Sequence, residues 1–335
     1  MNRAKPLLSA CIIARDEAAT LPRCIASLQG LCDEIRVLDT GSRDATIDVA
    51  QSLGALVETD TSCNGDDGLI VDFAQARNTC LRLARGSWIL QIDADEVLRS
   101  GHRALCEVMR RDDADVLGIT LSNESTAWVG TRFFRASAAR GYIGRVHERL
   151  DFQGRYVAAR DIVIENHPDK TGKESSPARN LRLLRMGLEE NPRDSRSWFY
   201  LGNEHRRVHA FDAAIEAYRT CIQVARPGAA SAFHSRYYLA VCQFLSDRYH
   251  EALQAVDAAI ATDSRYAEGH CLRGDIHLML DDEQAATADY ELALRCGAPP
   301  ADALFAVDPQ CYGSYPATRL QRLAAAQPIQ GAKTP

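Results

Sequence analysis

No Cys-x-x-Cys pair and no ladder of closely spaced cysteines occurs in the chain, although it carries 11 cysteines. The odd count leaves at least one thiol unpaired, and the scatter argues against zinc sites. Reduced, mostly buried thiols of a cytoplasmic protein are expected. Long apolar runs are missing too. The run Leu7–Ala14 is interrupted by Ser9, followed at once by Arg15, Asp16 and Glu17, and lacks a cleavage-site pattern. No later stretch approaches the roughly 18 apolar residues that a membrane span needs. Nor is there a basic excess: with a formal net charge of −6, overall charge does not favour nucleic acid or anionic lipid as a partner, although it leaves room for a local basic groove.

What is present is ordinary globular composition, 46% apolar and 25% charged over 335 residues, enough for about two domains. The chain is organised around Trp88-Ile89-Leu90-Gln91-Ile92-Asp93-Ala94-Asp95-Glu96. Its apolar first half predicts a strand buried on both faces of a parallel sheet. In extended backbone Asp93 and Asp95 project to one side while the small Ala94 turns away and leaves room for a ligand. Two close carboxylates repel unless a cation sits between them, which suits Mg²⁺ or Mn²⁺ carrying a diphosphate. A solvated turn that caps the next helix is the plainer reading of the same four residues.

Leu8–Ala14 predicts the first strand and Arg15-Asp16-Glu17 the loop after it, where open α/β sheets bind ligands. A helix with Leu21, Cys24, Ile25 and Leu28 on one stripe follows. Glu34–Leu38 reads as a second strand broken by Asp39-Thr40-Gly41-Ser42, and Leu56–Glu58 as a third. Strands alternating with helices predict a parallel sheet with right-handed crossovers. Asp39 is then a site acid or a turn-forming residue. Thr59–Asp72 is a long polar loop. In the helix that opens at Phe73, Arg77 and Asn78 meet phosphate or sugar, or face solvent. Val116–Ser122 and Arg132–Arg135 predict strands, with Asn123–Gly130 a loop overhanging the site, and Ile162–Glu165 predicts the last one.

The series IIARDE (12–17), VLDTGSRDAT (37–46), FAQARN (73–78), GSWILQIDADE (86–96) and GRVHE (144–148) resembles family 2 glycosyltransferases of the glycosyltransferase-A fold. It is most similar to the branch that carries tetratricopeptide repeats and includes bacteriocin peptide S-glycosyltransferases. The resemblance implies a nucleotide-sugar donor, most often UDP-linked, held by Ala14, Arg15, Glu17, Asp39, Arg77, Asp93, Ala94 and Asp95. Glu17 and Asp39 would address base and ribose, and Asp93 would lie near the ribose. Asp95, with Asp93 and His167 as further candidates, would hold a divalent Mg²⁺ or Mn²⁺. Glu148 occupies the place of the general base, with His147 a rival. Arg149 beside Glu148 would keep it ionised but a weaker base, and an ion pair with Arg145 or Arg149 is the plainer reading of Glu148. His167 in a loop is either a ligand or merely exposed, and Pro168 stands where a small residue would be expected.

Beyond Asp169 the pattern turns helical. Lys170–Pro177 reads as a polar linker, and Asn180–Glu190 as a helix. Trp198, Leu201, Gly202, Phe211, Ala214, Tyr218 and Cys221 open a pattern that recurs at Leu239, Ala240, Tyr249, Ala252, Val256 and Ala259, and again at Gly274, Ala286, Tyr290 and Ala293. The copies are offset by about 38 and 34 residues, which resembles tetratricopeptide repeats. The expected organisation is a catalytic α/β domain over residues 1–170, an all-α repeat solenoid over 178–296, and a tail over 297–335 with a short helix at Arg319–Ala326. Stacked repeats offer a face for a peptide or protein acceptor, pair two copies of the chain, or prop the catalytic domain.

The leading expectation is a metal-dependent, inverting sugar transferase acting on a peptide or protein side chain. A glycan, lipopolysaccharide core or modified nucleobase is an alternative acceptor. A non-catalytic nucleotide-binding scaffold and a nucleotidyltransferase are the alternatives of other classes.

Overall fold

The computed structural model describes residues 7–111, 113–123, 126–168, 174–229, 231–300, 303, 305 and 307–326. The chain divides into two compact units, Met1–Arg179 and Asn180–Pro335. In the first, strand β1 (Leu8–Ala14) is buried along almost its whole length. Leu8, Ala10 and Ile12 pack on one face against Leu21, Ile25 and Leu28 of α1 (Leu21–Leu28), while Cys11 packs on the other against Ala76 and Cys80 of α3 (Phe73–Leu83). Alternation along an extended chain sends successive side chains to opposite cores.

The remaining strands are β2 (Glu34–Asp39), β3 (Leu56–Thr59), β4 (Trp88–Gln91), β5 (Glu96–Ser100), β6 (Val116–Ser122), β7 (Ala127–Arg135), β8 (Ala139–Ile143), β9 (Arg149–Phe152) and β10 (Tyr156–Asn166); helices α2 (Thr46–Ser52) and α4 (His102–Arg111) complete the unit apart from the start of the next helix. Eight strands form one mixed sheet in the order β3-β2-β1-β4-β7-β6-β10-β5, and β8 with β9 forms a separate hairpin. β3, β2, β1 and β4 run parallel, so Ala14, Asp39 and the acids after Gln91 share one edge. β7 runs antiparallel to both β4 and β6.

Three sequence expectations change here. The expected overhang Asn123–Gly130 is mostly strand: β7 begins at Ala127, with Val129 and Gly130 paired to Thr120 and Ile119. The glycine that reads as a breaker is a close-packing site, since a Cβ there would lie 2.4 Å from Leu121 Cδ1. Glu96–Ser100 is a short antiparallel strand on β10, and β10 starts at Tyr156 rather than Ile162 because its first half alternates exposed and half-buried residues around a bulge between Ala159 and Val163. Of the expected linker, residues 170–173 lie outside the described set. Helix α5 (Ser176–Glu190) has already begun at Pro177, which sits in its first turn, where a missing N–H costs nothing.

In the second unit α6 (Ser195–Arg207) with α7 (Phe211–Val224), α8 (Ala232–Phe244) with α9 (Tyr249–Thr262) and α10 (Ala267–Met279) with α11 (Glu283–Cys296) form three helix pairs. His209, Asp247 and Asp281 end the first helix of each pair at φ 59°, 58° and 60°. The next amide in each case donates 2.9 Å back to His205, Gln243 or His277, a left-handed helix stop in register with the sequence repeat. Gly202 and Gly274 lie against Tyr218 and Tyr290, and Ala240 packs with Val256 in the corresponding middle slot. A Cβ on Gly202 would lie 2.5 Å from Tyr218 Cε1, a ring fixed by its own hydroxyl donating to Asn203 Oδ1 at 2.7 Å. Gly202→Ala is therefore expected to destabilise the protein by about 1–3 kcal/mol despite the better helix former, read as a lower urea midpoint at unchanged slope.

The C-terminal helix α12 spans Ser314–Ala326, longer than Arg319–Ala326 because Pro316 falls in its first turn. A 3-10 turn at Pro309–Tyr312 precedes it. Tyr315 donates to Asp275 Oδ2 at 2.6 Å and Arg319 pairs with Asp275 Oδ1 at 3.0 Å, so the segment packs on α10. Among the described residues no helix is long and apolar enough to cross a membrane, and all 11 cysteines are free thiols.

Candidate active site

The carboxyl edge of β1, β2 and β4 collects the site. Asp39, only 1% exposed, ends β2, and its Oδ2 accepts from the amides of Gly41 at 3.0 Å and Ser42 at 3.2 Å. The turn-forming role is thus real, and it fixes the acid on the same edge as Ala14, whose carbonyl accepts from Thr40 N at 2.9 Å. Glu17 accepts from Thr20 Oγ1, and its amide donates to Thr46 Oγ1 at 2.8 Å. Arg15 donates to Gly68 O, which ties the Thr59–Asp72 loop to this edge.

Arg77, on the buried face of α3, joins two distant acids. Its Nη1 lies 2.8 Å from Asp93 Oδ1, and its Nε donates to Glu148 Oε1. The guanidinium is therefore engaged by protein carboxylates rather than turned to solvent. Asp93 is gripped from the other side by Arg132 Nη2 at 3.2 Å. Arg132 also lies 3.1 Å from Glu96 Oε1, and Glu96 Oε2 accepts from the Asp93 amide at 2.8 Å. Burial pushes Asp93 up, but the two guanidiniums prevail and hold it well below the usual carboxylate range. Burial likewise pushes Glu148 up, and Arg77 more than reverses it. For Glu96 burial prevails over Arg132, and with Asp93's charge added the carboxyl is pushed up to about 7. The ion pair expected between Glu148 and Arg145 or Arg149 is accordingly replaced by a buried one with Arg77.

Asp95 differs from its neighbour. Burial raises its pKa, the charges of Asp93 and Glu17 raise it further, and a hydrogen bond from Asn166 works the other way. A cation beside it would relieve that repulsion, so one carboxylate here fits Mg²⁺ or Mn²⁺ that takes its other oxygens from phosphate and water. The rest of the expected ligand set is committed elsewhere. Asp93 belongs to its arginines. The His167 amide donates to Asp95 O at 2.8 Å, while its Nε2 lies 3.4 Å from Glu165 Oε2. Among the described residues no group of three or more His, Cys, Asp or Glu side chains is arranged to hold a metal ion.

Residues 9–150 match the model of glycosyl transferase family 2. A TPR repeat-containing protein of Synechococcus elongatus is 30% identical over 320 residues, covering 86% of this chain and 77% of that protein. The chain belongs to the family 2 glycosyltransferases that carry tetratricopeptide repeats. The SPbeta prophage-derived glycosyltransferase SunS of Bacillus subtilis is 25% identical over 233 residues, and the match spans 63% of this chain and 51% of SunS. Among solved structures, MamA aligns at 19% identity and a TM-score of 0.33, over 43% of this chain and 80% of MamA.

In this glycosyltransferase the first unit is thus a glycosyltransferase-A sheet, and two of its site residues carry no local sequence signal. Arg132 reaches Asp93 because β7 inserts antiparallel beside β4, with Leu90 opposite Phe133. Asn166 reaches Asp95 because β10 pairs with β5 in the register Asn166 to Glu96. Asn78, read as a phosphate or sugar contact, instead donates to Tyr142 O at 3.0 Å and accepts from Tyr142 N at 2.6 Å. It pins the β8–β9 hairpin whose connection carries Glu148. His147 there has φ 51° and is half-buried.

Proposed function

We propose that this glycosyltransferase moves a sugar from a UDP-linked donor to a peptide or protein side chain, with inversion and with a divalent metal. The acceptor heteroatom attacks the anomeric carbon, Glu148 takes the acceptor proton, and the bond to the nucleoside diphosphate breaks on the opposite face of the sugar. Asp95 would hold the metal, which when bound supplies countercharge for the departing diphosphate. Glu17 and Asp39 would orient the nucleoside, and His167 would join the metal only by turning away from Glu165.

The observation that supports the reading best is the Glu148–Arg77–Asp93 bridge. It keeps a carboxylate ionised, and so able to accept a proton, next to the edge that carries Asp95. The repeats favour a polypeptide acceptor. Eleven free thiols argue for a reducing compartment, the cytoplasm. If the repeats instead pair two copies, sedimentation of the purified chain gives twice the monomer mass.

Release of UDP from a panel of UDP-sugars, with and without Mn²⁺, tests the core of the proposal. Wild type is expected to need the ion, and Asp95→Asn to lose at least about a hundredfold in metal-supported turnover. Equal turnover in chelator, or an Asp95→Asn variant that works normally, sinks the metal assignment.

A further inference from the structure

The repeat unit contains a feature that sugar transfer does not use. A cavity of about 250 Å³ opens between α8 and the segment before the 3-10 turn, lined by Phe233, His234, Tyr237, Tyr238, Glu268 and Asp308 among others. Its volume suits one long side chain and falls below that of most small-molecule sites, about 300–1,000 Å³. Four of these residues bring rings from a single helix. Phe233 stacks on Tyr237 with centroids 5.7 Å apart and on Tyr266 at 4.3 Å, so the wall is held rigid before anything binds.

We propose that this cavity binds an organic cation on an apolar stem, a guanidinium or ammonium of the kind carried by arginine and lysine side chains. Two independent features support it. The lining is largely aromatic, and one of its rings already holds a guanidinium, with Arg206 Cζ 4.2 Å over the Tyr238 ring. Among the residues that line the cavity the carboxyls are Asp308 and Glu268, the latter pushed up by burial, and burial pushes the imidazole of His234 down to about 4, so it adds no positive charge at neutral pH. His234 is only 3% exposed, and its Nδ1 has no hydrogen-bond partner.

The acids are preset. Glu268 accepts from the Asp308 amide at 2.8 Å and from the Tyr312 hydroxyl at 2.9 Å, and Asp308 accepts from Gln310 N at 2.9 Å. An anionic ligand would meet both carboxylates, and a neutral apolar one would supply no countercharge to them. The site stands apart from the transferase reading and survives or fails without it.

The test is calorimetric titration of the full chain at 0.15 M salt with acetyl-Gly-Arg-Gly-amide, with its citrulline counterpart, and with free agmatine. The arginine peptide is expected to bind at least about tenfold more tightly than the citrulline peptide. Asp308→Asn keeps the cap on Gln310, because asparagine caps as well as aspartate, and should weaken arginine binding about threefold to tenfold. Tyr237→Leu should do the same, with the circular dichroism of both variants unchanged. Tighter binding of the peptide than of agmatine assigns the site to polypeptides, and the reverse assigns it to free amines; either supports a cation site. Equal binding of arginine and citrulline, no binding of any cation, or wild-type affinity in both variants overturns it.

Discussion

Glu148→Gln lowers turnover of the donor by about 10²–10⁴-fold, the usual worth of a positioned general base, and leaves nucleotide affinity nearly unchanged. The substitution is isosteric, and the Gln oxygen can still accept from Arg77 Nε. What disappears is the negative charge that takes up the acceptor proton. Because Arg77 holds Glu148 below its ordinary pKa, the proposed base stays ionised through neutral pH, and activity falls only below the ordinary carboxylate range. His147→Asn, which tolerates the left-handed backbone at φ 51°, is expected to change kcat by less than about threefold if Glu148 carries the proton. A normal Glu148→Gln enzyme, with His147→Asn inactive, reverses the assignment.

Arg77→Met is expected to cost about 3 kcal/mol of folding stability, because it leaves the largely buried Glu148 without its cation and Asp93 with Arg132 alone. The side chain is 7% exposed and touches both acids. Combining it with Glu148→Gln should recover part of the loss, since one orphaned charge is gone. The pH dependence carries a definite sign. Asp93 and Glu148 have depressed pKa values in the folded state, so their stabilisation of wild type is complete above the ordinary carboxylate range of about 4 and fades as pH falls through the folded values. In Arg77→Met Glu148 loses the cation that holds its pKa down while Asp93 keeps Arg132, so the deficit relative to wild type shrinks on acidification. Urea midpoints at pH 7 and pH 4 read both effects; a variant as stable as wild type at pH 7 would mean that the bridge holds nothing together.

Much of this site was legible in the letters, and the remainder failed for identifiable reasons. Asp93 and Asp95 follow a strand that is apolar but for Gln91, so their edge could be read from periodicity, and Gly202, Tyr218, Gly274 and Tyr290 announce the repeats by spacing alone. Arg77 was visible as a site residue, but its partners were not. The contact to Glu148 closes over 71 residues, and sequence neighbours such as Arg149 looked better placed. Arg132 and Glu96 were hidden because their meaning depends on an antiparallel strand inserted between parallel ones. The start of β7 was hidden by the polar run Asn123–Thr126 before it and by Gly130, which lies within the strand against the Leu121 side chain.

The mixed order of the sheet has a consequence for synthesis. β1 to β4 are made first and can pair among themselves, yet the second guanidinium on Asp93 and the carboxylate that shares Arg77 both arrive with residues 127–148. A nascent chain that has emerged only as far as Leu98 presents Asp93, Asp95 and Glu96 with a single nearby base. Water must go on solvating that edge until β7 pairs with β4, so the acidic edge cannot dry before residues 127–148 have been made.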